Sequence, residues 1–358
     1  MRAVRQLGVL LALVACGDDG EEVARDAAVD MQLDASVDTM PALDAALDAV
    51  IIEASIEDAR VFMPPAIDFP REKPARAFLL SELGLYADFA SKTLAPDLIA
   101  YEPSYALWSD GAEKHRWLRL PAGARIDDSD PDRWQFPVGA VLFKEFRTPD
   151  QRLETRVIAR VGAGERDYFF GAFVWRDDES DAELAWDGAS NVRGSAHDVP
   201  DTKQCGTCHN GEAGRVLGVS AVQTPRLNLP TTTTHAPYEV PGDAAQAQAL
   251  GYLHANCGHC HNPRGSARPD TDLNLRLSVA ERTVEETTPY RSSVGVKLQS
   301  FMGSTLTTRV VAGEPEQSGV WFRMSQRGPR TQMPPIASES VDAQGLALIA
   351  GFIAALPH

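Results

Sequence analysis

The sequence predicts an α+β fold, an antiparallel β-rich N-terminal domain over residues 61–200 followed by a mainly α-helical domain. Three observations point there. Residues 152–175 alternate apolar and polar side chains about a five-residue turn, the pattern of a β-hairpin. Residues 243–256 and 340–356 instead repeat apolar side chains every three to four positions, the helical period. Two copies of Cys-x-x-Cys-His lie beyond residue 200.

The chain is expected to be cleaved just before Cys16, which leaves Cys16 as the first residue of the exported protein. Met1–Gln6 is short and basic, and Leu7–Val14 is an apolar run too short for the roughly 20 residues of a membrane-spanning helix. Leu13-Val14-Ala15-Cys16 resembles a bacterial lipobox, so residues 1–16 read as a lipoprotein signal peptide and Cys16 as the lipidated residue. Such a protein sits on the lipid bilayer through acyl chains, in the cell envelope, periplasm-facing or at the outer membrane. Residues 17–60 carry thirteen acids against Arg25 and Arg60, with no aromatics. Asp26, Asp30, Asp34 and Asp38 would repel one another on a helix, so this stretch reads as a disordered acidic tether.

The whole chain has 358 residues, 44% hydrophobic and 23% charged, which excludes collagen-like and polytopic membrane classes. Thirty-four Lys and Arg against 50 Asp and Glu give a net charge of −16, unsuited to nucleic acid.

In the β-rich part, strands are expected at Arg116–Leu120, Ala140–Phe146, Arg152–Val161, Asp167–Trp175 and Glu183–Trp186. In the third, Leu153, Thr155, Val157, Ala159 and Val161 alternate with charged neighbours, as in a half-buried strand. Trp108, Trp117, Trp134, Trp175 and Trp186 are expected in the core of this region or lining its functional face. Asp177–Asp181 reads as a solvated turn. No nucleophile elbow, phosphate loop or His-Glu-x-x-His motif occurs, and no catalytic residue is assigned.

Farther on, Asp243 is placed to cap a helix whose Leu250, Leu253 and Cys257 share one face. A second helix carries Leu346, Ile349, Ile353 and Leu356 and ends before Pro357. Ser318 is placed to cap a short helix ending near Met324.

With Cys16 assigned to lipid, the other four cysteines form Cys205-Gly-Thr-Cys208-His209 and Cys257-Gly-His-Cys260-His261. This is the pattern of covalent c-type haem attachment. Two thiols three residues apart reach the two vinyl groups, and the following imidazole becomes the proximal iron ligand. A zinc knuckle needs no His after each pair. With 8 His among 358 residues, chance supplies one at both positions about once in two thousand. A thioredoxin-type pair needs a βαβ setting, and three-residue spacing suits a structural disulfide poorly. Cys205, Cys208, Cys257 and Cys260 are thus expected to hold two covalently bound haem c groups, and His209 and His261 to ligate their iron.

Several segments resemble one family when taken in order: Leu80-Ser-Glu-Leu-Gly-Leu-Tyr86, Leu107-Trp-Ser-Asp-Gly-Ala112 with Lys114 and Arg116, Phe136-Pro-Val-Gly139 with Lys144-Glu-Phe146, Arg152-Leu-Glu-Thr155, and the two haem motifs in Gln204–His209 and Tyr252–His261. From about residue 70 onward the chain is similar to exported bacterial di-haem c-type cytochromes with a β-rich N-terminal region. The resemblance implies two haems and an envelope redox role, and no particular reaction. Residues 201–242 then hold the first haem, and 243–358 form a cytochrome c-like domain with the second.

That last part resembles class I cytochrome c, in which a loop Met is the second axial ligand; the resemblance implies Met333, in Gln332-Met333-Pro334-Pro335, as the ligand opposite His261. Met324 competes for this role, and Arg323 is a candidate propionate partner. His259 lies inside the attachment loop, and His254 reads as a helix-surface residue. The sixth position of the first haem falls to Met302, Met324, Met63, His115, His197 or His235, or stays open. The expected function is electron transfer between redox partner proteins of the cell envelope by a membrane-anchored di-haem cytochrome. The alternative is a peroxidase-like haem enzyme using an open first haem, and a weaker third is a module whose β-rich part docks a partner.

Overall fold

A computed structural model describes residues 67–223, 229–234, 237–299, 304–328 and 330–358. The signal segment, the acidic tether, Cys16, Met63, His235 and Met302 lie outside the described residues. The described residues belong to one compact unit, Val61–His358.

The chain is α+β. A six-stranded antiparallel sheet runs β3 (Ile99–Ala100), β4 (Glu113–Arg119), β5 (Val141–Arg147), β6 (Arg152–Arg160), β7 (Tyr168–Trp175) and β8 (Ala182–Leu184), each strand paired with its sequence neighbour. A small hairpin, β1 (Tyr86–Asp88) with β2 (Thr93–Leu94), precedes it. β1, β2 and β3 have two or three residues each, too short to leave an alternation in the sequence.

Strand pleating gives the sheet two unlike faces. One carries Phe143, Val157, Phe173 and Trp175, all buried, and packs with Leu80 and Leu83 of a single 3₁₀ turn, Leu80–Leu83. Gly84 ends that turn at φ +66°, a conformation that costs glycine little.

The other face holds Leu118, Leu142 and Ile158 beside Arg116, Lys144 and Arg156. Here one expectation is corrected. Leu153, Thr155, Val157 and Ala159 of β6 are buried as expected, but among their charged neighbours Glu154 is fully buried and Arg156 lines a cavity, while Val161 falls just past the strand and is exposed. Trp134 and Trp175 are core residues, Trp108 lines the same cavity, and Trp117 and Trp186 are half-buried.

After residue 200 the regular structure is helical, with long connecting loops: α1 (Cys205–His209), α2 (Ala244–Asn256), α3 (Thr288–Ser293), α4 (Gly319–Met324) and α5 (Ala343–Ala354). α2 starts where Asp243 accepts the amides of Ala245 and Gln246 and the Gln246 side chain returns to the Asp243 amide, a full capping box. Asp342 caps α5 through the Gly345 amide at 2.9 Å. Ser318 precedes α4 without capping it, because its hydroxyl instead bonds the Val311 amide and the Glu314 carbonyl.

α2 and α5 pack through Leu250, Leu253, Ile349, Phe352 and Ile353. A Cβ on Gly345 would lie 2.3 Å from the Tyr252 ring, so that glycine sets how closely the two helices approach.

Candidate functional site

α1 is little more than one turn, and Cys205, Cys208 and His209 all sit on it. The Asp201 carboxylate fixes its start by accepting the amides of Lys203 at 2.8 Å and Gln204 at 2.9 Å. The second motif begins where α2 ends. Cys257 donates its amide to Leu253 at 2.9 Å, and His261 donates to Cys257 at 2.8 Å, which continues the helical path through the motif. No disulfide joins Cys205, Cys208, Cys257 and Cys260, and all four are of intermediate burial.

The two motifs touch. The Cys260 thiol reaches the Thr207 carbonyl at 3.4 Å, and the ligating atoms of Cys208, His259 and Cys260 lie within 4.8 Å of one another. Gly211 packs on the His259 carbonyl so closely that a Cβ there would stand 2.1 Å from the oxygen. Farther out, Arg276 ties the segments by pairing with Glu212 and donating to the Asp132 carbonyl.

Both motifs line one cavity of about 670 Å³, within the roughly 300–1,000 Å³ of cofactor and ligand sites. The sheet's polar face forms one wall, and the strip carrying Arg323, Met324 and Met333 forms another.

The His209 ring is held from both sides. Its Nδ1 bonds the Arg215 carbonyl at 2.7 Å, and Phe170 of β7 packs against it with ring centroids 4.9 Å apart. Arg215 takes a left-handed backbone, φ +57°. Burial pushes the His209 imidazole down to about 3 and that of His261 to about 4, so both rings are neutral, the form that binds a metal. Nδ1 of His261 is buried with no hydrogen bond of good geometry, although the Leu273 backbone lies near enough to act on it.

Met333 lines the cavity, and its amide bonds the Arg323 carbonyl at 2.9 Å. Met324 lines it too, but is buried among the α2 and α5 side chains. The half-buried Arg323 is an electrostatic neighbour of His261. Among the candidates for the first haem, His197 lines the cavity with its Nε2 2.7 Å from Glu154, whereas His115 is exposed and stacks on Trp117. His254 is not a surface residue. It is buried, and its Nδ1 accepts the Leu277 amide at 3.1 Å.

Several site residues carried no signal of their own. Asn256 accepts the Trp108 amide at 2.7 Å and donates to Ala106 at 3.1 Å, and Asp110 accepts the Ser340 amide at 2.8 Å. The Leu107–Ala112 segment thus fastens the end of α2 to the approach of α5. The Trp-Ser-Asp-Gly string is the sequence feature that marks this segment.

The donor set suits a porphyrin. Each motif offers two thiols on one turn and a neutral imidazole beside a roomy, partly apolar cavity. Cys208, His259 and Cys260 would by themselves suit zinc, but that leaves Cys205, Cys257, His209 and His261 without a task. No protein-family model, curated protein or solved structure matches the chain.

Proposed function

We propose that this chain is a di-haem c-type cytochrome, anchored through acylated Cys16, that passes electrons between redox partner proteins of the bacterial cell envelope. The observation that supports it most is the opening of both Cys-x-x-Cys-His motifs onto one cavity, with the Cys260 thiol on the Thr207 carbonyl. Haem bound there supplies a one-electron couple. Cys205 and Cys208 hold the first group and Cys257 and Cys260 the second, with His209 and His261 as the protein's iron ligands. Met333 serves the second, in a cytochrome c-like arrangement of α2, the loop and α5. Covalent attachment keeps the cofactor on an exported chain, and contact between the motifs lets an electron cross without diffusion.

The deciding experiment is a haem count. Protein matured in a host competent for c-type cytochromes should keep its pigment through acid–acetone extraction and give two haems per chain as the pyridine haemochrome. Colourless protein, or zinc on elemental analysis, overturns the reading. Cys16→Ser should move the protein from the membrane to the soluble envelope fraction, and continued retention would remove the anchor from the account.

One observation favours a haem enzyme as the second reading. The methionines lining the cavity among the described residues, Met324 and Met333, both come from the strip beside His261. An open first iron would bind carbon monoxide after reduction and turn over hydrogen peroxide, whereas a pure carrier would do neither.

A further inference from the structure

Three cations stand side by side across the polar face of the sheet. In register, Arg116 of β4 faces Lys144 of β5, and Lys144 faces Arg156 of β6. All three line the cavity, and Lys114 adds a fourth positive charge two residues before Arg116 on the same face. Like charges directly opposite on neighbouring strands repel, so an anion facing such a row would stabilise it.

The protein supplies one. Glu154 takes Arg156 at 2.6 Å and His197 at 2.7 Å. Glu145 adjoins Lys144 in sequence but points to the opposite face, where it meets Tyr86 and Arg152. Lys144 rests over the Phe146 ring at 4.7 Å, and Arg116 donates to the Lys114 carbonyl at 3.5 Å with Tyr101 and Glu102 as its more distant electrostatic neighbours. Among the described residues neither has a carboxylate ion pair. Arg116 and Lys144 thus lack a carboxylate partner, and burial beside the two arginines pushes the Lys144 ammonium well below its ordinary range.

The row faces the first motif. Arg156 is an electrostatic neighbour of Cys205 and Cys208, and His209 of Lys144 and Arg156. Resting on the di-haem reading, we propose that Arg116, Lys144 and Arg156 form a carboxylate-binding rack for the two propionates of the haem held by Cys205 and Cys208. The cysteines would hold that group's vinyl substituents and the rack its acidic ones. Arginine offers paired donors to a carboxylate, and lysine a point charge.

The test uses the matured full-length protein with Lys144→Met, Arg116→Gln and the charge-conserving Lys144→Arg. Haem count, a redox titration resolving both haems and the propionate-bending bands of the resonance Raman spectrum are read together. Lys144→Met should keep two haems, lower the midpoint potential of one haem only and shift its propionate bands; Lys144→Arg should restore both readouts. Added acetate should leave the wild-type midpoints unchanged, because the rack is filled. Two haems with unmoved potentials and bands in Lys144→Met and Arg116→Gln would overturn the rack while leaving the di-haem reading intact. A midpoint that follows acetate would overturn it in favour of a diffusible anion, and a haem-free wild type would overturn both.

Discussion

Nδ1 of His209 donates to the backbone carbonyl of Arg215 at 2.7 Å. That bond spans the loop after α1 and fixes the tautomer, leaving Nε2 as the ring's free lone pair. Replacing His209 with Ala should cost the native spectrum of one haem and leave the other, and His261→Ala should do the converse. The two single variants, compared by absorption and EPR, check the assignment. Spectra unchanged in both would remove these histidines as ligands.

Met333 and Met324 can be separated by potential. A thioether ligand raises a haem's potential relative to a second imidazole or water. Met333→Ala should therefore lower one midpoint in a redox titration and bleach any sulfur-to-iron band. Met324→Ala should act on stability, since that side chain is packed between α2 and α5; losing a buried Met costs about 2–5 kcal/mol. Exchange of these two outcomes would transfer the ligand role to Met324.

Much of this architecture was legible in the sequence, and the exceptions share a cause. Strands β4 to β7 and helices α2 and α5 fall close to their expected places, because each pairs a clear period with a cap or turn, and the three-residue β8 overlaps its expected segment. The short β1, β2 and β3 left no period to read. The cation row was invisible because Arg116, Lys144 and Arg156 are ordinary surface residues in a linear reading and become a row only through strand register. His254 was misplaced for a similar reason. Its helix is buried around most of its C-terminal half, where the 271–277 segment covers it and Leu277 supplies the bond.

The contact between Gly211 and His259 predicts an asymmetric tolerance to a methyl group. Gly211→Ala would drive Cβ into a backbone oxygen 2.1 Å away, so the two motifs must separate. A loss of about 1–3 kcal/mol follows for such overpacking, with incomplete haem attachment. Gly206→Ala, inside the first motif, meets the end of the Asn210 side chain, which can swing aside. Urea unfolding of both variants checks the difference, and equal midpoints would contradict the packing.

Glu179 sets an acid-stability prediction. Asp177–Asp181 reads in sequence as a solvated turn, yet Glu179 accepts the Arg152 amide at 2.8 Å and pairs with Arg152 at 2.7 Å and Arg193 at 2.9 Å. Partial burial raises its pKa, but these bonds outweigh burial and hold the carboxyl down at about 2, against an ordinary 4.5. A carboxyl depressed in the folded state contributes stability that is fully present above its unfolded pKa and is lost as pH falls toward the folded value. Glu179→Gln should therefore be less stable than wild type at neutral pH, and the gap should close between about pH 4.5 and pH 2. Thermal melts of the variant and the wild type across that window measure it. A gap independent of pH would mean that Glu179 acts through packing and not through its charge.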